Sequence, residues 1–144
     1  MIGRPAIIDT NVVVGGLLTG QADAPTARIV DGMLAAAFPF LLSVELLAEY
    51  REVLLRPAIR ERHVLGDDEV DRLLAAFVIG AMLRDPPPSK VAPDSGDQHV
   101  WDLLASHPRA LLVTGDRRLL EQAPPGASVL LQAPFIKLRS PVLR

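Results

Sequence analysis

Residues 6–18 read AIIDTNVVVGGLL. Ala6, Ile7 and Ile8 form a short apolar run suited to a buried strand, and the run stops on Asp9. Thr10 and Asn11 are residue types that cap helix starts, and an apolar segment follows them. The stretch therefore predicts a strand over 5–9, a turn, and a helix over 11–18 that Gly15 and Gly16 weaken. A carboxylate at such a junction has a structural role as a cap. It also has a chemical one, because open α/β sheets gather their reactive groups beyond the carboxyl ends of the strands.

The same alternation continues along the chain. Pro25 suits the first turn of a helix, and Ile29, Val30, Met33, Leu34 and Ala37 keep helical spacing behind it. Residues 39–42, Pro-Phe-Leu-Leu, read as a second strand. Ser43 caps the helix SVELLAEYREVLLRP, whose apolar face is Leu46, Leu47, Tyr50, Val53 and Leu54 and which Pro57 ends. From Asp67, the residues Val70, Leu73, Leu74, Phe77, Val78, Ala81 and Met82 give the clearest i, i+3, i+4 pattern in the chain. Pro86, Pro87 and Pro88 read as the stop after that helix. A short strand is expected around Val91, a helix from Asp97, a strand over 110–114, a short helix in GDRRLLEQ and a last strand over 128–131. Strands alternating with helices predict an α/β fold with a mostly parallel sheet.

With 144 residues the chain suits one domain, residues 1–144. Cysteine is absent, which removes disulfides, thiolate nucleophiles and cysteine-based zinc sites, and fits a reducing cytoplasm. No stretch reaches the roughly 18 uninterrupted apolar residues of a membrane helix, and nothing reads as a signal peptide. The net charge of −2 is not the broad basic footprint of most nucleic-acid binders.

Acids stand at five places where packing does not ask for them: Asp9, Glu49, Asp94, Asp97 and Asp116. Each has a plain structural role. Asp9 and Asp97 suit helix caps, Asp94 and Asp116 suit turns, and Glu49 suits a solvated helix face. Glu45, near a helix start, serves the helix dipole. As an ordered set they suggest more. Carboxylates gathered at strand ends stay ionised together only with positive charge among them. Oxygen ligands without cysteine select magnesium or manganese over zinc, and such ions support phosphodiester cleavage. Of the histidines, His63 reads as solvated, His99 as a helix-surface residue that, being close to Asp97, could instead line a site, and His107 as a cap.

With these motifs in order, the chain resembles the PIN-domain family of metal-dependent nucleases, and most closely its branch of toxins from toxin–antitoxin pairs. The resemblance rests on IIDTNVVV, SVELLAEYREVLLRP, PDSGDQHVWDLLA and LLVTGDRRLL, and runs from about Ile7 to Leu120. It implies a three-layer α/β/α sandwich around a mostly parallel sheet. It implies a catalytic tetrad of Asp9, Glu49, Asp97 and Asp116, with Asp9, Asp97 and Asp116 holding Mg2+ or Mn2+. Asn11 would orient the first Asp, Thr114 would place a hydroxyl beside the last acid, and Asp94 would be secondary. The implied reaction is hydrolysis of single-stranded RNA, and the implied partners are an antitoxin and a second copy of the chain, through helices near 25–37 and 43–56. Three places depart from the family pattern. The Asp-rich turn lacks one acid, with Gln98 where Asn is usual, Arg118 stands where another Asp is frequent, and Gly15-Gly16 replaces a more usual Ser with a small residue.

Setting the four tetrad acids aside leaves a net charge of +2, and Arg51, Arg56, Arg117 and Arg118 are candidates for phosphate contacts. Arg60 and Arg62 stand beside them in sequence. Two other readings compete. One is a PIN-like module that binds without cutting. The other is a phosphatase with Asp9 as nucleophile, for which Asn11 stands where a second Asp is wanted. A phosphorylated receiver domain is poorer still, since no lysine follows the late strand.

Overall fold

A computed structural model describes residues 3–143. The opening stretch forms strand β1 (Ala6–Ile8) and helix α1 (Thr10–Leu18). Every residue of β1 is fully buried. Successive strand side chains point to opposite faces, so both faces of the sheet are covered, as a three-layer α/β/α arrangement requires. β1 pairs in parallel with β4 (Leu111–Val113), and β4 with β5 (Ser128–Leu130). On the other side, β2 (Leu41–Leu42) pairs in parallel with β3 (Met82–Leu83). A bridge from Ala6 to Phe40 and a hydrogen bond from Ala6 N–H to the Pro39 carbonyl (2.9 Å) join the two groups. The order across the array is β3-β2-β1-β4-β5, with every described pairing parallel.

The helices between the strands are α2 (Pro25–Leu34), α3 (Val44–Leu54), α4 (Pro57–His63), α5 (Asp67–Gly80), α6 (Gln98–Ser106), α7 (Arg118–Gln122) and α8 (Gln132–Leu143). Ser43 caps α3 as expected, its hydroxyl accepting from Leu46 N–H at 3.1 Å. α5 buries Val70, Leu74 and Phe77, the stripe its periodicity foretold. No helix among the described residues is long and apolar enough to cross a membrane.

Several local expectations are corrected. The helix pattern does not run through Met82. The helix ends at Gly80, and Met82 and Arg84 donate instead to the carbonyls of Phe40 and Leu42, both at 2.8 Å. Those carbonyls need partners in the sheet, and this pairing makes β3. No strand forms at Val91, which is 88% exposed. The proline triplet therefore follows a strand rather than a helix. Pro57 stops α3 but also opens α4, a helix the sequence reading passed over. α8 was likewise unforeseen, since Pro134 and Pro141 obscure its pattern. It packs Phe135 edge-on against Phe38, with ring centroids 5.2 Å apart. His63 is not solvated. Its ring bridges the Leu54 carbonyl (2.7 Å) and Leu65 N–H (2.9 Å) and ties α4 back to α3.

One side chain locks the carboxyl end of β1 to α3. Tyr50 is fully buried, and its hydroxyl donates to the carbonyl of Ile8, the last residue of β1. Burial pushes that hydroxyl well above its ordinary ionisation range. Tyr50→Phe leaves the carbonyl without this partner. We expect a loss of about 1–2 kcal/mol in chemical denaturation, with no change in the steepness of the transition.

Candidate functional site

Parallel pairing places the site. Ile8 lies in register with Val113, so the residues that follow each strand, Asp9 and Thr114, emerge side by side. Asp9 caps α1, with Oδ1 accepting from Thr10 N–H at 2.9 Å. Its Oδ2 accepts from the Thr114 hydroxyl (2.7 Å) and from Asn11 Nδ2 (3.1 Å). The Asn11 carboxamide reaches across to accept from Gly115 N–H (2.9 Å), and the Thr114 oxygen accepts from Asp116 N–H (3.0 Å). Asn11 and Thr114 thus fix Asp9 and the turn that carries Asp116 with one network. Asp9 is both a helix cap and a member of the acid cluster.

Glu49 arrives from α3. One oxygen accepts from the Thr10 hydroxyl, and the other lies 3.5 Å from His99 Nε2. That is an ion-pair separation rather than a hydrogen bond. Both ring nitrogens of His99 are buried with no hydrogen-bond partner among the described residues. His99 was expected on the helix surface, and the structure turns it inward. The spacing carried a signal: His99 is one turn before the fully buried Leu103 and so shares its face. Thr10 reads from the sequence only as a cap, yet it lies on the stripe of buried Val13 and Val14, which points it inward too.

Asp9, Glu49, Asp97 and Asp116 all line one open cleft of about 550 Å³, together with Thr10, Asn11, Arg56 and Arg62. Val14, Leu18, Val53, Ile59 and Leu119 give it an apolar wall. Asp97 stands at the start of α6, after a single 3-10 turn over Ser95–Asp97. Asp94 does not line the cleft. It caps that turn, with Oδ1 accepting from Gly96 N–H at 2.9 Å. Gln98 is an anchor for the preceding loop, bonded to Ala92 N–H, the Lys90 carbonyl and Asp102. Of the candidate arginines, Arg56 lines the cleft while its guanidinium pairs with Glu52 one turn before it (2.8 Å), and Arg51 pairs with Asp71 (2.8 Å) outside the cleft lining. Arg117 faces a neighbouring hollow with Pro25, Thr26 and Gln132. Arg118 grips Asp116 (2.8 Å). His107 serves as expected at the end of α6, its ring 3.2 Å from the Leu103 carbonyl.

The electrostatics are those of crowded acids. Burial raises the Asp9 carboxyl above its ordinary value, and Glu49 and Asp97 push the same way, against the lowering bonds from Thr114 and Thr10. Asp97 is raised by burial and by Asp94, Asp116 and Glu49. Glu49 is lowered, first by His99 and then by the Thr10 hydroxyl. Burial acts to lower His99, but Glu49 outweighs it and the net shift is upward. Asp116 is lowered by Arg118. Among the described residues no three His, Asp or Glu side chains close in tightly enough to enclose a cation by themselves. The donor set nevertheless fits a hard, hydrated ion. Magnesium is commonly held by one or two carboxylates and completes its shell with water and substrate phosphate. A cation in the cleft would also relieve the repulsion that raises Asp9 and Asp97.

A family model described as "PIN domain" matches residues 5–118, a span that contains all four acids. A comparison with curated proteins gave no match.

Proposed function

The chain belongs to the PIN-domain family, and from that premise we propose that it is a divalent-metal-dependent endoribonuclease acting on single-stranded RNA. PIN domains are in general nucleases that use divalent metals. The observation that carries the finer reading is the convergence of Asp9, Glu49, Asp97 and Asp116 on one cleft, with Asp9 and Asp97 raised by burial and by their neighbours' charge.

In this reading Asp9 and Asp97, with Asp116, hold Mg2+ or Mn2+. A divalent ion held there would make water a better nucleophile and offset charge on the phosphate. The protein's own groups do the rest. Asn11 and Thr114 orient Asp9 Oδ2. Glu49, kept ionised by His99 and the Thr10 hydroxyl, accepts the proton of the attacking water. Arg56 and Arg62 stand at the rim, where they meet backbone phosphates. The apolar wall of Val14, Leu18, Val53 and Ile59 receives an unstacked base, as single strands allow.

The toxin role, with an antitoxin covering the cleft, is part of the proposal, as are a cytoplasmic location and a homodimer. Leu34 of α2 and Val44 of α3 are exposed apolar side chains on the two helices named for self-association. A short reading frame upstream encoding a DNA-binding protein would support the toxin role. One observation favours a second reading, a module that binds without cutting: Arg118 already occupies Asp116.

The test is incubation of the chain with a labelled pool of single-stranded RNA in Mg2+, Mn2+ or a chelator. Duplex RNA and single-stranded DNA serve as comparisons. The nuclease reading predicts cuts in RNA single strands that need metal. RNA bound but left whole under both ions would favour the binding module.

A further inference from the structure

Asp116 is not a free carboxylate. Arg118 backbone N–H donates to its Oδ1 at 2.9 Å, and the guanidinium Nη2 donates to Oδ2 at 2.8 Å. Arg118 Nε lies between the two oxygens, 3.3 and 3.2 Å away. One residue, two positions along the chain, engages both oxygens as a fork. Among the described residues this is the arginine that forms an ion pair with a tetrad acid. Its charge also acts on Asp94 and Asp97. The pair sits at the rim of the cleft: the Arg118 side chain is 67% exposed and that of Asp116 27%. An exposed pair is weakly held, and the fork that fits a carboxylate fits a phosphate equally well.

We propose that Arg118 is a built-in counterion of Asp116 that competes with the divalent cation for this carboxylate and is drawn away by an RNA phosphate. The inference rests on the reading of the acids as a cation site. Three charges share one place. With no substrate, Arg118 holds Asp116 and the cation sees a weakened site. When a phosphate enters, the guanidinium has a second anion to bind, and Asp116 is released toward the cation. Cation and RNA therefore bind cooperatively, and each tightens the other by the same factor. Arg118 is a positioning residue here: it acts on the cation through Asp116.

The test titrates Mn2+ into metal-free full chain, following the free ion by electron paramagnetic resonance. It is run with and without a single-stranded 2′-O-methyl oligonucleotide checked to be intact afterwards. Uptake by the oligonucleotide alone is subtracted. Without the oligonucleotide, Arg118→Gln should bind Mn2+ about tenfold more tightly than wild type. Arg118→Lys, which keeps the charge and loses the fork, should fall between them. In an Asp116→Asn background the Arg118→Gln change should move the affinity less than about twofold. A phosphate that joins the cation's shell tightens Mn2+ in every variant, and the release of Asp116 should make the oligonucleotide effect about tenfold larger in wild type than in Arg118→Gln. Equal Mn2+ affinity in wild type and Arg118→Gln without the oligonucleotide would overturn the proposal, as would an oligonucleotide effect equally large in the two proteins. If none of the proteins takes up Mn2+, the cation reading itself fails and this inference falls with it.

Discussion

Asp9→Asn is expected to lower the rate of RNA cleavage at least ~10³-fold, the loss of several kcal/mol of charge stabilisation at the reacting phosphate. In metal-free protein at neutral pH the same change should raise Tm by about 3 °C, corresponding to ~1 kcal/mol. The two effects have one cause. The Asp9 carboxyl is raised in the folded protein, chiefly by burial. A raised carboxyl contributes stability below its unfolded value, and that contribution is lost as pH rises through the folded value. At neutral pH the ionised group therefore costs stability. Asparagine removes the charge and keeps a cap acceptor for Thr10 N–H. The difference in Tm should close as pH falls below the ordinary carboxylate range. Adding Mn2+ should raise Tm of the wild type by mass action and leave the variant unmoved. Calorimetric melts at several pH values, with chelator and with Mn2+, check each sign.

Gly16→Ala and Gly15→Ala are expected to act in opposite directions although the residues are adjacent. A Cβ on Gly16 would meet the Thr26 carbonyl oxygen at 2.5 Å and Val30 Cγ2 at 2.6 Å. The carbonyl belongs to the backbone of α2 and cannot swing aside, so α1 and α2 must part. We expect a loss of about 2–3 kcal/mol, or a Tm lower by roughly 6–9 °C. A Cβ on Gly15 meets Thr26 Cγ2 at 3.5 Å, an ordinary contact. There alanine's better helix propensity dominates, and a gain of about 0.5–1 kcal/mol is expected. Since Asp9 caps α1, the Gly16 variant should also loosen the site and lose Mn2+ affinity. Denaturant unfolding of the two variants side by side measures the difference. Equal effects would contradict the close approach of α1 to α2.

The same pair of glycines shows what the sequence could and could not say. Their low helix propensity argued against a helix that the structure forms. Propensity is local, and the reason for glycine at 16 is the neighbouring helix backbone, which no pattern within residues 6–18 contains. The strands were legible because the central ones are buried on both faces and read as plain apolar runs: Ala6–Ile8, Leu41–Leu42 and Leu111–Val113. Met82–Leu83 was not legible, since two residues of strand following an amphipathic helix fit that helix's period equally well. α4 and α8 were hidden by prolines, which mark helix starts and helix stops alike.

For the candidate site, position along the chain was informative and orientation was not. Asp9, Glu49, Asp97 and Asp116 could be named because three of them lie at element boundaries, and all four line one cleft. Asp94, three residues before Asp97, reads as its equivalent in the sequence but caps the turn instead. His99 needed its face on α6 compared with that of Leu103. The Arg118 grip on Asp116 needed the geometry of a turn, because the residues between them do not say which way either side chain points.

These acids are expected to hold a divalent cation at the carboxyl ends of β1 and β4. Anomalous diffraction from crystals soaked in Mn2+ tests it most directly. A peak is expected in the cleft within coordination distance of Asp9 and of Asp97 or Asp116, absent from Asp9→Asn crystals. A cleft without a peak in wild type, or a peak that persists unchanged in Asp9→Asn, would contradict it.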